Sequence, residues 1–191
     1  MNQPNKKLLL HTCCAPCSIA CVEKLRADNI KPQLFWFNPN IHPFTEYKSR
    51  YESLKEFLSI ENLELFPNES ISAEEGYDPD IFFNEINPKT EKRCEKCYRI
   101  RLEKTAFTAV NNGFSSFSTT LLISPYQDHN LIKCIGEELA EKYKIEFLYR
   151  DFRPVFRESQ AAARAKNFYM QKYCGCVFSE EEASLQVVRS K

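Results

Sequence analysis

The sequence predicts an α/β fold, a parallel sheet with helices flanking it on both faces. Short apolar runs of strand length alternate with longer segments whose apolar residues recur at helical spacing. That order brings parallel strands together through helical crossovers. Turn-forming residues close the strand-like runs, as in Asn38-Pro39-Asn40 and Ser124-Pro125. The 191 residues, 43% of them hydrophobic, suit one domain with an ordinary core.

Residues 7–11 read as a buried strand that runs into a cysteine-rich loop, and residues 18–27 as the helix that follows. Residues 33–37 (Gln-Leu-Phe-Trp-Phe) form the second strand. Residues 45–60 are helical, with Thr45 as N-cap and Tyr47, Tyr51, Leu54, Phe57 and Leu58 on one stripe. Residues 63–66 form a third strand. Residues 67–93, with Pro67, Gly76, Pro79 and Pro88, read as an irregular insertion. A helix over 96–110 stops at Asn111-Asn112-Gly113. A strand over 117–123, a helix over 131–142 and a last strand over 145–149 follow, and 180–191 is left as a C-terminal tail. The expectation is a single α/β domain over 1–191.

The chemistry lies in the cysteines. They gather in Cys13-Cys14-Ala15-Pro16-Cys17, Cys94-Glu95-Lys96-Cys97 and Cys174-Gly175-Cys176. Thiolates are soft ligands that select iron–sulfur clusters, zinc or copper(I). The N-terminal apolar run is too short for a signal peptide, and no stretch is apolar enough to span a bilayer. The expected compartment is the cytoplasm, where thiols stay reduced and clustered cysteines signify metal binding or catalysis. Adjacent side chains of an extended segment point to opposite faces, so Cys13 and Cys14 suit two centres. Six or seven thiolates exceed the four that one zinc or one cuboidal cluster needs, which suggests a cluster plus an adjacent metal. Structural zinc is the plainer alternative. Cys21 and Cys134 read as core cysteines on apolar helix faces, and His42 and His129 as surface or capping histidines raised only by their loops.

Lys+Arg and Asp+Glu are equal at 26 each, so total charge gives no argument for nucleic acid. Distribution does. Basic residues dominate 89–101, and Arg150, Arg153 and Arg157 stand among Phe152 and Phe156. A basic face near the cysteines, or an ordinary solvated helix face, would explain this. Neither GxGxxG nor a P-loop occurs.

His11-Thr12-Cys13-Cys14-Ala15-Pro16-Cys17-Ser18 resembles the N-terminal signature of the QueH-type epoxyqueuosine reductases. So do Asn38-Pro39-Asn40-Ile41 with Glu46-Tyr47, and Arg93-Cys94-Glu95-Lys96-Cys97-Tyr98-Arg99-Ile100-Arg101-Leu102. Thr119-Thr120-Leu121-Leu122-Ile123-Ser124-Pro125-Tyr126-Gln127, Asp151-Phe152-Arg153-Pro154 and Tyr173-Cys174-Gly175-Cys176-Val177-Phe178-Ser179 complete the likeness, over about residues 7 to 179.

The resemblance implies a Rossmann-like (HUP, PP-loop-like) sheet with the cysteine-rich metal site at the carboxyl ends of its strands. It implies a cobalamin-independent oxidoreductase that takes the last step of tRNA queuosine synthesis, the reductive removal of the epoxide oxygen of epoxyqueuosine at the wobble position. It further implies a 4Fe–4S cluster beside a mononuclear iron, and an external electron donor of the ferredoxin or flavodoxin type. Carried over by motif, Cys14, Cys94, Cys97 and one of Cys174/Cys176, taken as Cys176, hold the cluster. Cys13, Cys17 and Cys174 hold the single iron. Cys17 stands where some members carry an aspartate ligand. Tyr126, Asp128, His129, Asp151 and Tyr173 are the candidate proton donors, and Arg99, Arg101, Arg153 and Arg157 the candidate tRNA contacts. The rival readings are a zinc-dependent RNA-binding module and a PP-loop tRNA thiolation enzyme. The missing glycine-rich ATP loop argues against the second.

Overall fold

The computed structural model describes residues 7–67, 72–86 and 92–189, the last three by their backbone alone. Five strands form one sheet: β1 (Leu8–Thr12), β2 (Pro32–Trp36), β3 (Leu65–Phe66), β4 (Ser116–Thr119) and β5 (Glu146–Phe147). Their spatial order is β3-β2-β1-β4-β5, and every pair is parallel. The helices between and after them are α1 (Ala15–Ala27), α2 (Phe44–Glu61), α3 (Ala73–Gly76), α4 (Asp80–Glu85), α5 (Arg93–Asn111), α6 (His129–Tyr143), α7 (Phe156–Ala165) and α8 (Val177–Arg189). Among the described residues no helix is long and apolar enough to cross a membrane.

The central strand follows from its composition. Leu8, Leu9 and Leu10 do not alternate with polar residues, and all three are buried. A strand apolar on consecutive residues must be covered on both faces. Helix α1 packs on α7 and α2, and α5 packs on α6 and against β1 and β4. The register sets His11 opposite Phe35 on one side and Thr119 on the other. His11 is buried, with Nδ1 2.9 Å from Thr119 Oγ1 and Nε2 3.2 Å from the Phe37 carbonyl, so it joins the ends of three strands.

Several boundaries differ from those read in the sequence. Helix α1 begins at Ala15, with Cys14 as N-cap, so Cys17 lies inside it. Helix α2 begins after Pro43, which takes the N-cap place expected for Thr45. The fourth strand stops at Thr119 because the Thr119 hydroxyl accepts the Leu121 N–H at 3.1 Å. That bond turns Thr120–Ile123 into a 3-10 helix. The 67–93 insertion is not wholly irregular. Ser72 and Glu75 form a capping box that starts α3, and buried Phe82 and Ile86 anchor α4. Residues 87–91, which include Pro88, Lys89 and Glu91 of that insertion and of the basic run, lie outside the described residues. Of the expected tail at 180–191, residues 180–189 are instead part of α8, and 190–191 lie outside the described residues.

Gly136 fixes how α6 meets the sheet. A Cβ there would stand 2.2 Å from Phe147 Cε1, and Phe147 packs on Phe117 with ring centroids 5.1 Å apart. Glycine-to-alanine changes inside helices normally stabilise by about 1 kcal/mol. Gly136→Ala is expected instead to lower stability in urea unfolding, by about 1–2 kcal/mol from overpacking. A stabilised variant would show that the Phe147 ring swings aside at no cost.

Candidate metal centre and its cavity

The turn from β1 into α1 carries three buried thiols. Cys14 is the N-cap and Cys17 stands three residues on, the two positions that face each other in a capping box. Cys13 joins them. The ligand atoms of Cys13, Cys14 and Cys17 all lie within 4.8 Å of one another, and Cys13 Sγ is 3.7 Å from Cys14 Sγ. Among the described residues no other group of three or more His, Cys, Asp or Glu side chains converges this closely. The expectation that Cys13 and Cys14 face apart is therefore corrected. Strand alternation ends at Thr12, and the helix start draws the sulfurs together. Sulfurs bound tetrahedrally at about 2.3 Å are about 3.8 Å apart, so the spacing matches the edge around one ion.

The electrostatics follow the geometry. Donation from the Cys14 and Cys17 thiols pulls Cys13 well below the ordinary thiol range. Burial pushes Cys14 up, and the hydrogen bond to Cys13 raises Cys17. The helix N-terminus favours negative charge at the same place.

The other clustered cysteines come from α5 and from the segment before α8. Cys97 is buried with Phe82 and Ile86, and Cys176 and Phe178 pack against that group. Cys94 is exposed, one turn earlier. Burial pushes the Cys97 thiol up to about 12, opposed by the Arg101 guanidinium. The Cys174–Cys176 turn needs its glycine. Gly175 has φ +138°, and a Cβ there would meet Asn40 and Ile41 at 3.2 Å. Arg50, 1% exposed on α2, holds this turn. Its Nη1 donates to the Cys174 carbonyl at 3.0 Å, its Nη2 to the Tyr173 carbonyl at 2.9 Å and its Nε to Glu46 at 2.7 Å.

A cavity of about 440 Å³ opens between the two sets of thiols, with Cys13, Cys17 and Cys174 in its wall. Amides lean on two of the sulfurs. Gln171 Nε2 donates to Cys17 Sγ at 3.4 Å, and Gln127 Nε2 to Cys174 Sγ at 3.5 Å. Gln160 and Gln186 also line the cavity, and Tyr126, Phe156 and Tyr173 supply aromatic wall.

A family model described as "Epoxyqueuosine reductase QueH" matches residues 8–182. The chain belongs to the epoxyqueuosine reductase QueH family. It is 35% identical over 176 residues to the epoxyqueuosine reductase QueH of Dehalococcoides mccartyi, covering 92% of this chain and 93% of the relative. It is 34% identical to that of Thermotoga maritima over 90% and 89% of the two chains. The Haemophilus influenzae protein of the same name is 36% identical, over 94% of this chain and 74% of its own length.

The QueH motifs do not all reach the cavity. Of the five candidate proton donors, Tyr126 and Tyr173 line it, and Asp128, His129 and Asp151 do not. Asp128 caps α6, accepting the Leu131 N–H at 3.0 Å. His129 is buried, its Nε2 3.0 Å from the Ser124 carbonyl. Arg153 binds Asp151 through two bonds, at 2.8 and 2.6 Å, and holds its carboxyl down at about 2. Asp151 is ionised at neutral pH and has no proton to give. The Tyr173 hydroxyl donates to the His42 carbonyl at 2.5 Å, while Tyr126 is 84% exposed.

The four arginines divide in the same way. Arg99, Arg153 and Arg157 are at the surface, the first two paired with Glu138 and Asp151. Surface pairs of this kind are worth about 0–1 kcal/mol and exchange readily for a phosphate. Arg101 is corrected: it is 1% exposed, on the buried stripe of α5, and offers no surface charge. Cys21 is buried as expected, but Cys134 is exposed beside Glu138 and is not a core residue. Sequence reading missed Arg50, Gln160 and Gln171. An arginine in mid-helix, four residues from a glutamate, looks in sequence like a surface ion pair.

Gly175→Ala is expected to keep the fold and to lose at least half of the bound metal, because an added Cβ displaces the turn that carries Cys174 and Cys176. Circular dichroism with elemental analysis checks this. Wild-type metal content in a folded variant would separate that turn from metal binding.

Proposed function

We propose that this chain is an epoxyqueuosine reductase acting on tRNA in the cytoplasm. The net reaction consumes two electrons and two protons, releases the epoxide oxygen as water and leaves the cyclopentene of queuosine. The observation that carries the reading is the cavity of about 440 Å³ with cysteines in its wall, in a chain of this family. The strand order, with a central β1 whose carboxyl end leads into the thiols, supports a Rossmann-like, PP-loop-related sheet with its site beyond the strand ends.

The donor set fits two metal groups. The close trio Cys13, Cys14 and Cys17 suits a single iron, which leaves Cys94, Cys97, Cys174 and Cys176 as four thiolates for a 4Fe–4S cluster. This redraws the division taken from the sequence, in which Cys14 belonged to the cluster and Cys174 to the lone iron. When bound, such groups supply single electrons and a Lewis acid for the epoxide oxygen. The chain's own residues do the rest. The wobble base leaves its stack to enter the cavity, and Tyr126 and Phe156, 6.1 Å apart edge to face, give it a stacking surface. The four glutamines present amide donors and acceptors to its polar edge. Tyr126 is the phenol whose proton is not already given to a protein carbonyl. Arg99, Arg153 and Arg157, with Lys172 at the rim, hold phosphates. Electrons enter from a ferredoxin- or flavodoxin-type carrier.

Anaerobically purified protein is expected to be brown, with at least four irons and acid-labile sulfide per chain, and to convert epoxyqueuosine in tRNA to queuosine with a chemical reductant, read by nucleoside mass spectrometry. Stoichiometric zinc without sulfide, after growth in ample iron, would sink the assignment and favour a zinc-dependent RNA-binding module. Cys17→Ala is expected to lose about one iron and turnover while keeping the cluster, because its sulfur lies in the trio and outside the set of four. Full activity with unchanged iron would remove Cys17 from the site.

Tyr126 separates two roles. Tyr126→Ala is expected to weaken binding of an anticodon stem-loop about tenfold, within the range of one base–aromatic stack. Tyr126→Phe keeps the affinity and lowers the rate of turnover. Equal affinity of the alanine variant and the wild type would return Tyr126 to an unengaged surface residue.

A further inference from the structure

Arg101 presents a charge problem that the reading above does not use. Its side chain is buried to 1% exposure on α5. Its Nε donates to the Cys97 carbonyl at 3.1 Å, one turn back, and its guanidinium carbon lies 5.9 Å from the centroid of the Tyr98 ring. Its Nη2 is buried without any hydrogen-bond partner. Among the described residues no carboxylate stands within ion-pair distance of it. Arg50, the other buried arginine of the site, has Glu46. An isolated buried cation is costly, and an unused buried donor adds to that cost. A protein retains such a group where an anion is present in the working state.

The anions at hand are sulfurs. Arg101 bonds the backbone of Cys97, and Cys94 stands on the same helix one turn earlier. We propose that Arg101 is the counter-charge of the thiol group that contains Cys97, and that it sets the reduction potential of the cluster held there. The inference rests on the reading of the site as an iron–sulfur centre. Its sign is fixed. Reduction adds one negative charge to the cluster, a nearby buried cation favours the reduced form, and low local polarity strengthens the effect. Arg101 touches no substrate in this account. It is a positioning residue for charge.

The test is the midpoint potential of the anaerobically reconstituted protein, followed by its visible and paramagnetic resonance spectra. Arg101→Met is expected to lower the equilibrium constant for one-electron reduction at least tenfold, a fall of about 59 mV. Arg101→Lys is expected to stay within threefold of the wild type, and the distant surface variant Arg26→Met to be unchanged. A loaded Arg101→Met protein with the wild-type potential would overturn the proposal. Should Arg101→Met not fold, Arg101→Gln, which keeps a donor for the Cys97 carbonyl, takes its place with the same expectation. If both uncharged variants fail to fold while Arg101→Lys loads iron normally, the charge serves folding and the assignment of the potential falls. If all three fail, Arg101 serves packing and the proposal falls. Wild-type protein without iron and sulfide would instead overturn the iron–sulfur reading, and this inference with it, before any variant is made.

Discussion

The buried guanidinium of Arg50 is the constraint on which the site depends. The segment between α7 and α8 makes no strand and has no sheet hydrogen bonds to place it, yet it carries two of the clustered cysteines. Arg50 holds it through the carbonyls of Tyr173 and Cys174, and Glu46 balances the charge from the same helix. The His42 N–H, donating to the Gly175 carbonyl at 2.8 Å, adds a third tie. Removing one partner of a buried ion pair costs about 3–5 kcal/mol because the other is left uncompensated. The clamp is therefore rigid, and the distance between the two sets of thiols is set by α2 as much as by the cysteines themselves.

Two of the three helices that carry cysteines begin at them. Cys14 caps α1, and Cys94 lies in the first turn of α5. Each helix brings unsatisfied N–H groups and the positive end of its dipole to a thiol. With Arg50 and Arg101, the fold places fixed positive potential around a site rich in sulfur, although the chain as a whole carries no net charge. Neutral composition and a strongly polarised interior coexist because the compensation is local.

Much of this was legible in the residues. The unalternating Leu8–Leu10 run declared a strand covered on both faces, and Asn111-Asn112-Gly113 marked the end of α5, where Gly113 adopts φ +69°. What misled was side-chain direction. Arg101 stood in a run of basic residues, but it follows Cys97 by four positions and shares the buried stripe with Leu102, Thr105 and Ala109. Cys134 was placed on the face of Leu131, Ile135 and Leu139, whereas α6 buries Ile132, Ile135, Gly136 and Leu139 and turns Cys134 outward. The facing of Cys13 and Cys14 could not be read from strand alternation, because the alternation ends one residue earlier. Helix α8 carries no strong start signal, and its N-terminal turn is defined by Ser179, which accepts from the Gly175 N–H and donates to the Cys176 carbonyl.

The order of the cysteines along the chain has a consequence for biogenesis. Cys13, Cys14 and Cys17 lie on one turn, so the trio forms once β1 and α1 have docked. The set that includes Cys174 and Cys176 cannot assemble until both have left the ribosome, after all five strands have been made. Domains fold as units and long-range pairings form late. The trio can close early in synthesis, whereas the larger set waits until all five strands have been made. Of that later set, Cys94 stays exposed on the folded chain.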